Sequence, residues 1–277
     1  MLFRSLQAFI LGIVQGLTEF LPVSSSAHLV LTPYLLGWEI NPEVTFVFDV
    51  LVQIGTLAAV IVYYLNDLWS ITKGFLNGLR QRQPFRSAES RLGWFILLAT
   101  IPAGIAGLLV KDLVEAAFNS PVATASFLFV TCGLLCIAEV VGKNSRGLEK
   151  LTWKDALWVG VFQAVAIFPG VSRSGSTISG GMTRHLDRSS AARFSFLMSI
   201  PIMLAASALA AMDLLKLPNL TYHVPMIGVG FATSLVIGYL SIRWLLRFLQ
   251  RHSLYWFAGY CALIAGIALA VHLAGIR

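Results

Sequence analysis

The feature that most constrains this chain is an internal repeat. Residues 12–26 (GIVQGLTEFLPVSSS) align without a gap on residues 160–174 (GVFQAVAIFPGVSRS), at a constant offset of 148. The two copies differ in their charged residues, because the first contains Glu19 and is followed by His28, whereas the second contains Arg173. Two apolar segments, each interrupted by Gly, Pro or Ser in corresponding halves, predict a functional site where the halves meet.

The composition indicates an integral membrane protein. The 277 residues are 57% hydrophobic and 12% charged, with a mean hydropathy of +0.78, whereas a soluble domain is about 25% charged. A very apolar soluble helical protein is the alternative. The net charge of +7 does not indicate a nucleic-acid partner, because the basic residues are concentrated in loops, as in the cytoplasmic loops of membrane proteins. The three cysteines have no His or acidic neighbours at metal-ligand spacing and are expected to be packing residues.

Six apolar stretches are long enough to cross a bilayer. They cover residues 46–64, 92–110, 122–142, 194–214, 224–242 and 254–275. Most of the Lys and Arg residues lie between them, in four basic segments. These are residues 65–91, 143–154, 184–193 and 243–252. The positive-inside rule places all four basic segments in the cytoplasm.

The spacing of two basic segments predicts that the second repeat unit does not cross the membrane. About 30 residues separate segment 143–154 from segment 184–193, and two crossings need about 40. Residues 155–183 are therefore predicted to form a re-entrant helical hairpin. Segment 36–45 contains Glu39 and Glu43 and no basic residue, which suits the outside. If the first repeat unit is also re-entrant, the N-terminus lies outside and the two halves have opposite orientations.

The predicted fold class is an all-α integral membrane protein with an inverted-topology repeat, consisting of two re-entrant helical hairpins and six transmembrane helices. Repeat one covers residues about 6–110, repeat two about 155–245, and a final helix about 254–275. Together they form a single membrane domain, residues 1–277. Lipid cannot pair the N–H and C=O groups of irregular backbone, so such backbone at membrane depth must be buried in protein or line a water-filled cavity. We therefore predict a polar pocket at the tip of each hairpin.

The first repeat contains a carboxylate, hydroxyls and an imidazole within fourteen residues, QGLTEFLPVSSSAH. Gln15 and Glu19 are one helical turn apart and share a face. The residues that follow Pro22 are Ser24, Ser25, Ser26 and His28. Such groups are costly inside a membrane unless they function. The alternatives are that Glu19 is only the structural partner of Arg173, that His28 is a packing histidine, and that one serine, Ser24 or Ser26, caps the following helix.

The second repeat places Arg173 at a Gly- and Ser-rich turn, FPGVSRSGST. Gly170 permits a close backbone approach, and hydroxyl donors surround the guanidinium. These donors are Ser172, Ser174, Ser176 and Thr177. A guanidinium fork combined with backbone N–H groups at the start of a helix is typical of phosphate binding. A buried ion pair with Glu19 is the alternative and is compatible with it.

The segments QGLTEFLPVSSSAH and PGVSRSGST resemble the two signature segments of the undecaprenyl-diphosphate phosphatase family, the bacitracin-resistance membrane proteins. The resemblance extends over nearly the whole chain. It implies hydrolysis of undecaprenyl diphosphate to undecaprenyl phosphate and inorganic phosphate, which recycles the lipid carrier of cell-wall synthesis. It also implies a multi-pass protein of the bacterial inner membrane with its site open to the periplasmic side. The family has Glu or Gln four residues before its second acidic position, and this chain has Gln15.

The residues and the resemblance together predict phosphoryl transfer. Ser25 attacks the terminal phosphorus, and Glu19 takes its proton or orients it. His28 protonates the leaving lipid phosphate or activates water, and Gln15 orients Glu19 or helps to coordinate a metal. A rival assignment makes His28 the nucleophile. The diphosphate is expected to be bound by Arg173 and by a set of surrounding residues. That set is Gln15, Ser24, Ser26, Gly170, Ser172, Ser174 and Thr177.

The expected cofactor is a divalent cation, Mg²⁺ or Ca²⁺, bridged by the substrate, with Glu19 and Gln15 as candidate ligands. No organic cofactor and no nucleic-acid partner are expected. The expected partners are the polyprenyl diphosphate and membrane lipids, and a homodimer is allowed. The alternative function is that of a transporter or flippase of an anionic lipid, since inverted repeats with broken helices are common in transporters.

Overall fold

The computed structural model describes residues 2–38, 42–118, 120–143, 145–214 and 220–276. Within these ranges the chain is helical, with twelve α-helices and one short 3₁₀ turn, Leu148–Lys150. The helices are α1 Leu2–Thr18, α2 Ser25–Leu36, α3 Pro42–Tyr63, α4 Leu65–Arg80, α5 Ala88–Leu109, α6 Lys111–Phe118, α7 Pro121–Val141, α8 Trp153–Val165, α9 Arg173–Thr183, α10 Arg188–Leu214, α11 Leu220–Leu249 and α12 Tyr255–Leu273. Glu39 and the side chain of Glu43, used above to orient the first repeat, lie outside what the structure describes.

The long helices coincide with the predicted spans. Five helical segments are long and apolar enough to cross a membrane, and the bent pair α3–α4 makes a sixth. The five are Ala88–Leu109, Pro121–Val141, Arg188–Leu209, Gly228–Leu249 and Tyr255–Leu273. Large apolar side chains on these helices point away from the protein, as expected for a lipid-facing surface. The prediction of a helical integral membrane protein is therefore supported.

Both repeat units form a helix pair with an irregular turn between the two helices. In the first pair, Ser24 caps α2 by accepting a hydrogen bond from the Ala27 backbone N–H at 3.4 Å. In the second, Ser172 caps α9 by accepting one from the Gly175 backbone N–H at 3.0 Å. The two caps occupy equivalent positions of the repeat. The expectation that Ser24 or Ser26 is an N-cap is confirmed for Ser24.

The first helix of each pair packs against a long helix of the other half. A Cβ on Gly12 of α1 would lie 3.0 Å from the Gly230 carbonyl oxygen in α11. A Cβ on Gly160 of α8 would lie 2.6 Å from the Ala99 carbonyl oxygen in α5. These two glycines coincide in the repeat, so equivalent positions permit equivalent close helix contacts. This crossed packing brings the two turns together inside the protein.

The basic segments meet at one end of the molecule, where buried carboxylates join them. Asp155 accepts hydrogen bonds from Arg146 at 2.8 Å and from Arg184 at 2.7 Å. Burial alone would raise the pKa of Asp155, but the hydrogen bonds from these two arginines and from Thr152 outweigh it and lower the pKa to about 2. Asp155 lies in the first turn of α8, outside the five candidate membrane-spanning helices.

Two further ion pairs connect the same end. Arg193 of α10 pairs with Asp67 of α4 at 2.8 Å. Arg188 forms a two-pronged contact with Glu139 of α7, and the same carboxylate accepts a hydrogen bond from the Leu254 backbone N–H at 2.6 Å. All four basic segments, or residues directly beside them, thus lie at the same end of the protein, which agrees with placing them on one side of a membrane.

The structure differs from the sequence analysis in segment 65–91, which was treated as a loop. Most of this segment forms α4, which is bent by 74° relative to α3. Its apolar face packs on α5, where the rings of Phe75 and Trp94 are 4.9 Å apart, while its other face carries the basic residues. An amphipathic helix at a membrane surface has this pattern. Charge predicted a membrane side for this segment, and that side stays a prediction, but it did not predict the helix.

Candidate active site

Glu19 lies where the turns of the two helix pairs meet. Its side chain is 4% exposed, and one carboxylate oxygen, Oε1, accepts a hydrogen bond from Arg173. The other oxygen, Oε2, accepts from Ser25 Oγ at 2.6 Å and from Gln15 Nε2 at 2.8 Å. Gln15 lies on α1, Ser25 begins α2 and Arg173 begins α9. The structure therefore brings together the four residues that the sequence analysis expected to meet at the tips.

Arg173 combines an ion pair with an unused donor. One terminal nitrogen, Nη2, donates to Glu19, while the other, Nη1, is buried without a hydrogen-bond partner among the described residues. Buried donors of this kind are rare in folded proteins and call for a ligand or water. The Arg173 side chain as a whole is 19% exposed, so part of it is in contact with the outside. The ion-pair interpretation and the anion-site interpretation of Arg173 are thus both compatible with the geometry.

Side chains and backbone from one turn bond to the other. Ser174 Oγ donates to the Leu21 carbonyl oxygen at 2.9 Å, and the Gly170 backbone N–H donates to Ser26 Oγ at 3.5 Å. Within each turn the corresponding serine hydroxyls are adjacent. The Oγ–Oγ distance is 3.1 Å between Ser24 and Ser26, and 3.2 Å between Ser172 and Ser174. The two turns form one connected polar cluster.

Gly170 is required by the shape of the second turn. Its φ is +100°, and an added Cβ would lie 2.2 Å from the Thr124 carbonyl oxygen of α7. Thr131 of α7 holds the same turn, since its hydroxyl donates to the Gly170 carbonyl oxygen and accepts from the Ser172 backbone N–H, both at 2.8 Å. Helix α7 thereby fixes the start of α9, where Arg173 lies.

Thr177 is placed differently from the other predicted binding residues. Its hydroxyl is buried, donates to the Arg173 carbonyl oxygen at 2.8 Å and lies 2.6 Å from Ser195 Oγ of α10. These contacts join α9 to α10. The structure therefore places the Thr177 hydroxyl in a helix-to-helix contact one turn beyond the tip, and the diphosphate-binding role expected for it stays a prediction.

His28 is held at both ring nitrogens. Nδ1 lies 2.8 Å from the Ser24 carbonyl oxygen, and Nε2 lies 2.8 Å from the hydroxyl of Tyr260 in α12. It shares a face of α2 with Ser25, three residues earlier. The side chain is buried, so the packing interpretation and the catalytic interpretation both stay compatible with its position.

Four residues that contact the site were not predicted. They are Thr56, Thr131, Ser195 and Tyr260. Each is a polar residue in a mostly apolar helix, and each reaches the site from a helix outside the two helix pairs. Their only sequence signal is a polar group at membrane depth, which does not indicate its partner.

The site fits a cation that is shared with a substrate better than one held by protein alone. Among the described residues, no group of three or more His, Cys, Asp or Glu side chains could hold a metal ion. Gln15 Oε1, however, is a buried acceptor beside the Glu19 carboxylate and has no hydrogen-bond partner in the part of the chain that the structure describes. Two oxygen donors leave most positions of Mg²⁺ or Ca²⁺ to water and phosphate oxygens.

The sequence matches one protein family along most of its length. A family model described as bacitracin resistance protein BacA covers residues 8–267. The chain belongs to this family. The matched range includes the two segments that carry Glu19, Ser25 and Arg173 to the meeting point of the two turns.

Similar proteins are named undecaprenyl-diphosphatase. Undecaprenyl-diphosphatase 1 of Corynebacterium jeikeium (strain K411) is 42% identical over 256 residues, which is 92% of this chain and 89% of that protein. The Mycobacterium ulcerans (strain Agy99) protein is 41% identical over 276 residues, covering 97% and 96%. Undecaprenyl-diphosphatase 2 of Stutzerimonas stutzeri (strain A1501) is 43% identical over 277 residues, covering 98% and 99%.

Proposed function

We propose that this chain converts undecaprenyl diphosphate into undecaprenyl phosphate and inorganic phosphate. Relatives that are 41–43% identical over almost the whole chain are named for this activity. The structural observation that carries the proposal is the contact of Ser25 and Arg173 with one buried carboxylate, Glu19. A nucleophile, a base and an anion-binding donor are thus adjacent. The family favours this hydrolase over a transporter or flippase.

In the first step, Ser25 Oγ attacks the terminal phosphorus and transfers its proton to Glu19 Oε2, its hydrogen-bond partner at 2.6 Å. The bond from that phosphorus to the bridging oxygen breaks, and its electron pair leaves with the lipid monophosphate. Arg173 Nη1 and the first backbone N–H groups of α9 bind the phosphate oxygens and offset the developing charge. Transfer of this kind depends mainly on positioning and charge neutralisation.

In the second step, water attacks the phosphoserine. Ser25 Oγ leaves with the proton that Glu19 received, and His28 takes up the proton that the water loses. Protonation of the leaving lipid phosphate is the other role proposed for His28. The contacts favour Ser25 as the nucleophile over His28, because Ser25 bonds directly to the carboxylate whereas both imidazole nitrogens bond elsewhere.

We further propose that a divalent cation is bound jointly by the substrate, Glu19 and Gln15 Oε1. When bound, such an ion supplies charge neutralisation for the diphosphate. The rest of the diphosphate contacts come from the chain itself, at the hydroxyls and backbone of the two turns. Ser24, Ser26, Ser172 and Ser174 are proposed to contribute through the polar cluster they form.

Phosphate release tests this function. Purified protein in detergent is given undecaprenyl diphosphate, and free phosphate is measured. Wild type should release phosphate, whereas Ser25→Ala, Glu19→Ala and Arg173→Ala should each reduce the rate by at least about 1,000-fold. Glu149→Ala removes an exposed carboxylate far from these contacts and is the matched control. A transporter would release no phosphate, and this result would contradict the proposed function. Trapping of the phosphorylated protein tests the nucleophile, and phosphate found on His28 would assign that role to His28 instead of Ser25.

We propose an inverted-topology repeat in the bacterial inner membrane, with the tips of two re-entrant hairpins meeting at a site open to the periplasm. The crossed packing of α1 on α11 and α8 on α5, and the shared end of the basic segments, support this arrangement. A homodimer is compatible with it. Thiol labelling of intact cells tests the topology in a cysteine-free background. Ser26→Cys should react with an impermeant reagent from the periplasm and Ser145→Cys should not, and the reverse pattern would contradict the orientation.

A further inference from the structure

His28 and Tyr260 are 232 residues apart and meet where α2 passes α12. Their polar atoms are 2.8 Å apart, and their rings are nearly parallel, with centroids 5.6 Å apart and an interplanar angle of 6°. The next residue of α12, Cys261, lies 3.7 Å from the Pro22 carbonyl oxygen in the first turn. The last helix therefore contacts the turn directly, and Tyr260, 40% exposed, is the more accessible partner of His28.

The contacts of His28 determine which ring nitrogen can exchange a proton. Nδ1 faces the Ser24 carbonyl oxygen, which can only accept, so Nδ1 carries a hydrogen. In the neutral ring, Nε2 is then an acceptor and the Tyr260 hydroxyl is its donor. In the imidazolium, Nε2 donates to that hydroxyl. The imidazole is thus held at both ends in either state, and a proton that reaches or leaves Nε2 passes through the Tyr260 hydroxyl.

We propose that Tyr260 positions His28 and passes the proton between its Nε2 and the reacting water, an inference that rests on the proposed function. Its hydroxyl fixes the imidazole and passes a proton to Nε2 as it receives one from the water, and its ring supports the imidazole by stacking. On this basis Tyr260 contributes to the proton-transfer step and not to diphosphate binding, which the first and second turns provide. Loss of the hydroxyl slows turnover and leaves substrate affinity nearly unchanged.

Replacing Tyr260 with phenylalanine removes the hydroxyl and keeps the ring. Tyr255→Phe, an exposed tyrosine at the start of the same helix, is the matched control. We expect Tyr260→Phe to lower kcat about tenfold, the effect of one hydrogen bond, while KM stays within about twofold. Tyr255→Phe should behave as wild type, and all three proteins should have the same thermal denaturation midpoint. Unchanged kcat in Tyr260→Phe, or a KM effect alone, would overturn the proposal.

A second measurement does not depend on turnover. The chain has five histidines, and ¹⁵N NMR of histidine-labelled protein in detergent, with His28→Gln used for assignment, reports the tautomer of His28. We expect hydrogen on Nδ1 in wild type, and a shift of the Nε2 signal in Tyr260→Phe but not in Tyr255→Phe. Hydrogen on Nε2 alone in the neutral ring, or an unshifted signal, would overturn the pairing. The two claims can fail separately. If wild type released no phosphate, the proposed function would be wrong, and the NMR spectrum would still show whether His28 and Tyr260 are paired.

Discussion

Replacing Gly170 with alanine tests whether α7 positions the turn that precedes Arg173. A side chain at φ +100° strains the backbone by about 1–2 kcal/mol. The new Cβ would lie 2.2 Å from the Thr124 carbonyl oxygen and 2.7 Å from Phe127 Cβ, where ordinary contact begins at 3.4 Å. The turn must therefore move by about 1 Å. Such a displacement costs about 100-fold in rate, and strain with overpacking costs about 3 kcal/mol of stability.

The matched control is Gly133→Ala in α7, because an added Cβ there meets nothing within 4 Å. Alanine in a helix is favoured over glycine by about 1 kcal/mol, so this variant should be as stable as wild type or more stable. Phosphate release and the thermal denaturation midpoint are measured for both variants in detergent. If Gly170→Ala matched wild type in both measurements, the close approach of the turn to α7 would not matter for the site, and the reasoning would be refuted.

Three further predictions concern the surroundings of the site. Thr131→Val keeps the shape of the side chain but leaves the Gly170 carbonyl and the Ser172 backbone N–H without their partner. We therefore expect a free energy of unfolding about 2 kcal/mol lower and slower phosphate release. An unchanged thermal denaturation midpoint would contradict this. The pKa of Asp155 is about 2 in the folded protein, against an ordinary value of 3.8. This lower pKa adds about 2 kcal/mol to the free energy of unfolding. The full contribution is present above a pH of about 4 and is lost as the pH falls towards 2. Denaturation midpoints against pH should show this loss in wild type and not in Asp155→Asn. Gln15→Glu places a second carboxylate beside Glu19, so phosphate release should become more sensitive to chelator, and a chelator titration identical to wild type would contradict the proposed cation site.

The meeting of Glu19 and Arg173 could be predicted from the sequence. A lone carboxylate and a lone guanidinium at membrane depth each need a partner, and the repeat places them in corresponding segments. The cap at Ser24 was also predictable, because a serine after a helix-ending proline commonly caps the next helix. These predictions succeeded because local chemistry and the repeat restrict the possible partners.

The role of Tyr260 and the shape of α4 could not be predicted in the same way. Tyr260 reaches His28 from the last helix, and the packing of α12 against the first turn leaves no spacing or motif in the sequence. The apolar face of α4 is visible in the sequence, but its basic residues dominated the interpretation of segment 65–91. Contacts between distant helices depend on packing, which one sequence without a repeat partner for α12 does not specify.

The ion pair between Glu19 and Arg173 joins residues 154 positions apart, which has a consequence for biosynthesis. The ribosome completes the first helix pair long before the arginine exists. Until then, the carboxylate has no counter-ion and must stay in contact with water or carry a proton. A chain that stops before α9 therefore retains an unneutralised acid in its membrane segment. We expect such truncated products to be recognised as unfinished and degraded.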